Sequence, residues 1–448
     1  MEALKKVKEI ILCNKILFFI LVLTFIISVG YSFYFRIHPL VDAKAYDVIA
    51  QNLVKGFGYR ENLDVDILHD YAISRVGPLY EFFLAGVYKT FGHHYEAVWL
   101  LQALFRALSA WLIYATVLLV FKQNDFNKKT ALVATIIFGL NPDLIEISAM
   151  LMIETLYLFL LCLMLYLFFL CLNKSSWWKV LILGLVSGLA ILSRPPIIFF
   201  VPIIIFFFWQ RKKIWSAFAI VLIMITVFLP WTVRNWQVFH QFMPLGSAGA
   251  YNFWIGNYPG ASGEQEQPQE ALNFIATHPI SDLQAESTHQ FTEFVLHKPG
   301  EFVKLTFLRV NKYFSVVRPM GFWFYQKGLG QLIFVASSGL FSIFLFIFGL
   351  AGLFQSFRLK QISTYYLIAF TLITPLIIFV TVVETRYRFQ IYPLLSLFAG
   401  YYVVYLWNNK KIFKERILWS VVSAVFLNGL LDLFLSFGKF KEKLGGFF

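Results

Sequence analysis

The sequence predicts an all-α, polytopic membrane protein, and three observations carry that reading. Apolar stretches of about 18 residues or more recur along the whole length, each long enough as a helix to cross a hydrocarbon core. Charged residues make up 14% of the 448 positions and hydrophobic ones 59%, whereas a soluble domain carries about a quarter charged residues. The basic residues behind the net charge of +13 gather in short segments between apolar runs, which is how topogenic charge is distributed. An ordinary soluble domain is therefore excluded, and no basic face with interleaved aromatics offers nucleic acid a place to dock.

Lys5, Lys6 and Lys8 precede an apolar run from Ile16 to Phe35. The run is long and no small-residue cleavage site follows it, so it reads as a retained first helix, not a signal peptide. Further spans are expected near 96–121, 130–148, 150–172, 178–193, 196–210, 214–231, 329–355, 361–383, 388–408 and 416–437, about eleven in all. Lys122, Lys128, Lys129, Lys174, Lys179, Arg211, Lys212, Lys213, Arg358, Lys360, Lys410, Lys411, Lys414 and Arg416 then fall on one side, with an inside N-terminus. The tail lysines Lys439, Lys441 and Lys443 fall on the other. Cys13, Cys162 and Cys171 lie in or beside spans, without ligand spacing or a disulfide framework.

This topology divides the chain into a transmembrane catalytic module, residues 1–231, an outer segment, 232–328, and C-terminal transmembrane helices, 329–448. The first outer loop, 37–95, contains two helices expected to lie in the interface plane. One runs from Ala43 to Val54 and stops at Gly56-Phe57-Gly58; the other covers Pro78 to Phe91. In the segment 232–328 the first half is rich in Gly and Pro, and helical periodicity returns from Ile280 to Val317 with a break at Pro299-Gly300.

Charged side chains at the ends of spans are functional candidates, because placing them there is costly. Asp42 reads either as the N-cap of the first interfacial helix or as a general base close to the membrane surface. Asp47, five residues on, supports it or is solvated, and Tyr46 lies between them. Arg75 either snorkels to headgroups or holds a phosphate in its guanidinium fork. His69 and Asp70 lack a third ligand in register, so a metal site there is a weak reading. Arg194, Arg234, Asn235 and Glu154 sit at helix ends, and each reads as a depth-pinning group or a site residue, the former favoured for Arg194. Glu384, Arg386 and Arg388 place three charges in five residues between two apolar runs, apt for an anionic headgroup. Tyr251, Trp254, Tyr258 and Asn257 offer flat apolar surface and one amide to a sugar or acceptor, or seat the loop in the interface.

Five motifs follow one another along residues 15–408. They are Asp42-Ala43-Lys44-Ala45-Tyr46 closing at Gly56-Phe57-Gly58-Tyr59, Arg75-Val76-Gly77-Pro78-Leu79-Tyr80, Glu154 with Arg194-Pro195, Pro230-Trp231-Thr232-Val233-Arg234-Asn235, and Glu384-Thr385-Arg386-Tyr387 before Pro393. In that order the chain resembles bacterial membrane glycosyltransferases of the GT-C fold, related to the dolichyl-phosphate-mannose protein mannosyltransferases (family 39) and the lipid A aminoarabinose transferases. Gly77 is an extra residue against that pattern, and Glu81 stands where the family has a proline. The resemblance implies a polyprenyl-phosphate sugar donor, an active site facing outside the bacterial cytoplasmic membrane, and inversion at the anomeric carbon. It also implies Asp42 as the base, Arg386 at the donor phosphate with Arg75 and Arg388 as helpers, and Glu384 and Glu154 as orienting groups. The acceptor hydroxyl, on lipid, glycan or protein, stays open, as does divalent-metal assistance. A flippase for the same lipid, or a polysaccharide polymerase or ligase, is the alternative; a flippase would place polar sites near the bilayer midplane.

Overall fold

The computed structural model describes residues 2–75, 77–122, 126–318, 328–409 and 415–438, with side chains from residue 14 onward. Lys410, Lys411, Lys414, the tail lysines and Val76 lie outside that set, as do the side chains of Lys5, Lys6, Lys8 and Cys13. Among the described residues eight helical stretches are apolar and long enough to cross a membrane: α1 (Glu2–Phe35, from Asn14), α4 (Tyr95–Val120), α7 (Glu154–Asn173), α10 (Ile214–Phe239), α15 (Leu329–Ser356, continued by a turn to Leu359), α16 with α17 (Ile362–Ile373 and Leu376–Val380), α18 (Tyr392–Asn409, preceded by a turn from Thr385) and α19 (Arg416–Leu435). A ninth is the pair α5 (Asn127–Gly139) and α6 (Pro142–Ala149), bent by 49°.

Asn141-Pro142 explains that bend. A residue before proline avoids the α region, and the Asn141 side chain accepts from the amides of Asp143 and Leu144, restarting the helix. The expected span 130–148 is therefore broken in two. The segments expected at 178–193 and 196–210 form α8 (Trp177–Ser193) and, after Pro195-Pro196, α9 (Val201–Gln210). With 17 residues, α8 reaches about 25 Å, short of a hydrocarbon core of roughly 30 Å. The expected eleven spans thus become eight or nine of full length plus these two short segments.

The bundle is continuous: α4 packs on α1, α5 and α7, α7 on α8, α8 on α10, and α18 on both α5 and α15. Phe168, Phe208, Phe346 and Tyr402 are fully buried where these helices meet. Several buried polar groups find partners inside it. Ser28 donates to the Thr24 carbonyl, and Arg106 donates to Ser28 Oγ and the Gly139 carbonyl, as a lipid-surrounded interior requires.

The two helices expected in the interface plane form as α2 (Asp42–Val54) and α3 (Leu79–Phe91), packed together with Tyr46 edge-on to Tyr80. Among the described residues of the segment 232–328, four more α-helices follow α10: α11 (Ala248–Gly256), α12 (Gln269–Thr277), α13 (Leu283–His297) and α14 (Pro299–Tyr313). The break falls at Pro299, where the sequence put it. Arg318, beyond α14, donates to both carboxylate oxygens of the buried Asp432 in α19, at 2.5 and 2.8 Å. That pair ties this segment to the last helix.

Candidate active site

Asp42 is the first residue of α2, and its side chain does not cap the helix. The capping position falls on Val41, held at φ 49°, a left-handed value that is strained for a β-branched residue. Its carboxylate instead faces two guanidinium groups. Arg75 Nη1 donates to Oδ1 at 3.1 Å, and Arg386 Nη2 donates to Oδ2 at 2.7 Å.

Each arginine has a second acid behind it. Arg75 grips Glu61 in a two-pronged pair, Nη2 to Oε1 at 2.6 Å and Nε to Oε2 at 2.9 Å. Arg386 Nε donates to Glu384 Oε2 at 2.7 Å. The result is an alternating row, Glu61, Arg75, Asp42, Arg386, Glu384, drawn from residues up to 344 positions apart in the chain. Three carboxylates against two guanidiniums leave the row without surplus positive charge, so an incoming phosphate must compete with a carboxylate.

Local packing fixes both arginines. The turn carrying Arg75 lies against the end of α8 so closely that a Cβ on Gly77 would sit 2.1 Å from the Leu192 carbonyl oxygen. The extra glycine in this motif is therefore a steric requirement. On the other side, the Gly256 Cα approaches Thr381, where a Cβ would lie 2.0 Å from the carbonyl oxygen. The Val383 amide donates to the Gly263 carbonyl, and Tyr387 donates to Gln265 Oε1. The segment 256–265 thus braces the short 3-10 turn Thr385–Ile391 from which Arg386 projects.

The electrostatics follow from this arrangement. Burial pushes the Asp42 carboxyl up, but Arg386, and after it Arg75 and Arg194, outweigh burial and hold it below the usual carboxylate range. Asp42 is ionised at neutral pH. For Glu384, burial prevails over the opposing pull of Arg386, and its pKa lies above the usual value. Burial also lifts Glu81 to about 8; it is fully enclosed, accepts from Tyr59 at 3.0 Å through Oε1, and has no partner at Oε2.

Beside the row lies a further pair, Arg194 Nη2 donating to Glu154 Oε1 at 3.2 Å, both buried. The rings of Tyr157 and Tyr387 lie 5.8 and 5.2 Å from the Arg194 guanidinium, and Tyr387 is also 5.7 Å from that of Arg386. Arg194 and Tyr387 line an apolar cavity of ≈ 250 Å³ walled by Pro195, Ile198, Phe199, Phe253 and Ile377. A second apolar cavity of ≈ 510 Å³ includes Tyr59, Pro78, Phe82, Leu192, Trp231 and Arg234. Leu192 lines one and Arg194 the other, so the end of α8 separates them.

The structure therefore joins Asp42, Arg75, Arg386 and Glu384, with Glu154 adjacent through Arg194. Other candidates go elsewhere. Arg388 donates to the carbonyls of Thr385, Ser315 and Arg318 and packs on Phe346. Asp47 accepts from Tyr88 at 2.6 Å, Tyr95 at 3.0 Å and Gln51 at 3.0 Å, and meets His93 at 2.9 Å, tying α2 to α3 and α4. Asn235 donates to the Met243 carbonyl; Asn257 donates to those of Phe253 and Val380 while accepting from Arg309. Tyr251 and Trp254 are buried within the α11 packing, and Tyr258 is half-buried. Tyr46 lies beneath Asp42 in the α2–α3 contact, and Arg234 borders the larger cavity.

Sequence reasoning favoured a depth-pinning role for Arg194 and passed over Glu61. Arg194 had a signal, an arginine at a helix break with an acid 40 positions back at the start of a neighbouring apolar helix. Glu61 had none, since an acid in a turn-rich loop is ordinary. Asp70 is spent on organising that loop, accepting from Arg60 and the amides of Glu61, Asn62 and Ala72. Among the described residues no three His, Cys, Asp or Glu side chains converge on a point, and each carboxylate of the row already faces an arginine. These residues do not fit a divalent ion.

The arrangement is that of a membrane protein with the GT-C glycosyltransferase fold. Residues 75–233, about a third of the chain, match the family model described as dolichyl-phosphate-mannose-protein mannosyltransferase; that range holds Arg75, Glu154 and Arg194. The fold is similar to the oligosaccharyltransferase of Archaeoglobus fulgidus, in its complex with zinc and sulfate (TM-score 0.53, 14% identity, 92% of this chain and 52% of that one). Its apo form is similar too (0.51, 13%, 93% and 55%). The chain spans about half the length of that enzyme, and at such identity the likeness shows the fold alone. ArnT from Cupriavidus metallidurans bound to undecaprenyl phosphate also matches, over 89% of this chain and 78% of that one at 11% identity; its TM-score of 0.39 adds nothing to the fold assignment. No curated protein sequence matches the chain.

Proposed function

We propose that this protein is an inverting glycosyltransferase that moves a sugar from a polyprenyl phosphate to a hydroxyl acceptor. It would work at the outer face of a bacterial cytoplasmic membrane, with residues 1–231 as the catalytic module and 232–328 bracing the site. One observation carries the reading: the Asp42 carboxylate, ionised and 21% exposed, is shared between Arg75 and Arg386 and also feels the charge of Arg194, which lines an apolar cavity.

In this proposal the donor lipid runs into the ≈ 250 Å³ cavity and its phosphate meets Arg386 and Arg194. The phosphate competes with Asp42 for the Arg386 guanidinium, whose planar fork suits it. Losing that contact raises the basicity of Asp42 when the donor is in place. The acceptor oxygen then attacks the anomeric carbon from the face opposite the phosphate. Its proton passes to Asp42 as the new C–O bond forms, and the sugar–phosphate C–O bond breaks with its electron pair leaving on the polyprenyl phosphate. Arg386 stabilises the charge that develops there. A single displacement inverts the anomeric centre.

The test is incubation of the purified protein with a panel of polyprenyl-phosphate sugars and, separately, nucleotide sugars. Released polyprenyl phosphate with a glycosylated product supports the proposal. Transfer from a nucleotide sugar overturns the donor assignment.

A further inference from the structure

Arg234 differs from the other arginines that line the two cavities or belong to the row. Arg60 faces Asp70, Arg75 faces Glu61, Arg194 faces Glu154 and Arg386 faces Glu384. Arg234 pairs with no carboxylate among the described residues. Its Nη1 donates to Asn235 Oδ1 at 3.0 Å and its Nη2 to the Tyr59 carbonyl at 3.3 Å. The rings of Trp231, Phe239 and Tyr59 lie 5.2, 5.3 and 5.8 Å from the guanidinium carbon.

The acid acting on it is Asp70, which is already paired with Arg60; a half-buried cation whose contacts are neutral groups and aromatic faces, in a low-dielectric wall, favours an anion beside it. That wall bounds the ≈ 510 Å³ cavity, otherwise formed by side chains such as Leu53, Phe82, Trp231 and Val238, a volume ordinary for a small-molecule site. The cavity wall includes Arg60, the chain neighbour of Glu61, and Pro78, three residues beyond Arg75, and the α8 end separates it from the cavity headed by Arg194.

We infer that this cavity is the seat of an anionic amphiphile, its apolar chain in the cavity and its charged group on Arg234, and that the acceptor is such a molecule. The word acceptor rests on the transferase reading above; the binding site does not. Two substrates would then approach Asp42 from opposite sides of the α8 end, as a displacement at one carbon needs.

The probe is n-decyl phosphate, titrated by calorimetry against the full chain in neutral phosphatidylcholine nanodiscs, with decanol and inorganic phosphate alongside. Saturable binding of decyl phosphate is expected, with each of the other two at least about tenfold weaker. Arg234→Gln should weaken decyl phosphate by about tenfold or more, the scale of one lost charge-assisted hydrogen bond. Arg234→Lys should fall between, and Val238→Trp, which fills the cavity, should also weaken it. Ile378→Trp, in the other cavity, should leave it in place. Unchanged affinity in Arg234→Gln, equal binding of inorganic phosphate, or loss in Ile378→Trp alone would overturn the inference. Thermal unfolding of each variant separates lost binding from lost fold. Donor consumption, measured separately, tests the transferase reading, so the two failures are distinguishable.

Discussion

Arg386 donates to Asp42 and to Glu384 at the same 2.7 Å distance, through Nη2 and Nε. One planar group thus spans two carboxylates that would otherwise repel each other. Lysine, a point charge on a flexible stem, reaches one of them at a time. Arg386→Lys is expected to retain partial donor affinity and turnover, and Arg386→Ala to lose both. Kinetics with a polyprenyl-phosphate sugar check this; wild-type values in Arg386→Ala would remove Arg386 from the phosphate site.

Arg194 and Glu154 form a buried pair. Removing the arginine alone leaves a buried carboxylate, a change that costs about 3–5 kcal/mol, so Arg194→Ala should unfold at lower temperature. Arg194→Ala with Glu154→Ala should recover much of that stability but not activity. Full recovery of turnover in the double variant would make the pair purely structural.

Glu81 gives a pH signature. Its pKa is about 8 when folded against 4.5 ordinarily, so folding disfavours the charged form. The stability it allows is complete below 4.5 and declines as pH rises toward 8. Thermal unfolding followed over that range should show the decline in the wild type and a flatter profile in Glu81→Gln. Parallel profiles would place the dependence elsewhere.

Sidedness is checked by labelling. With Cys13, Cys162 and Cys171 replaced, cysteines at the exposed positions Gln269 and Lys129 should react with a membrane-impermeant reagent from opposite faces. Labelling from the same face would overturn the spans between them.

Much of this was legible in the chain because apolar length and loop charge report spans directly. Asp42, Arg75 and Arg386 stood out as charges at span ends, where solvation is poor and an idle charge is costly. What the sequence hid was direction. Arg386 and Arg388 share a 3-10 turn, in which side chains realign every third residue, so positions two apart face different ways. One reaches Asp42 and the other backbone carbonyls. Asn257 reads as an amide facing a sugar or acceptor, yet folding spends it on the Val380 carbonyl of a distant segment, and Asn235 is spent on the nearby Met243 carbonyl. The Asp42 N-cap reading failed for a related reason: two arginines, one 344 positions away, compete with the helix amides for that carboxylate and win.

The central claim is that Asp42 takes the acceptor proton while a polyprenyl phosphate leaves. A single-turnover reaction of the wild type and of Asp42→Asn with the polyprenyl-phosphate sugar identified by the panel tests it most directly. The wild type should release one lipid phosphate per sugar transferred, with the anomeric centre inverted. Asp42→Asn should still bind the donor but transfer it roughly 100-fold more slowly or worse. Near-normal transfer by Asp42→Asn, or retention at the anomeric carbon, would contradict the account.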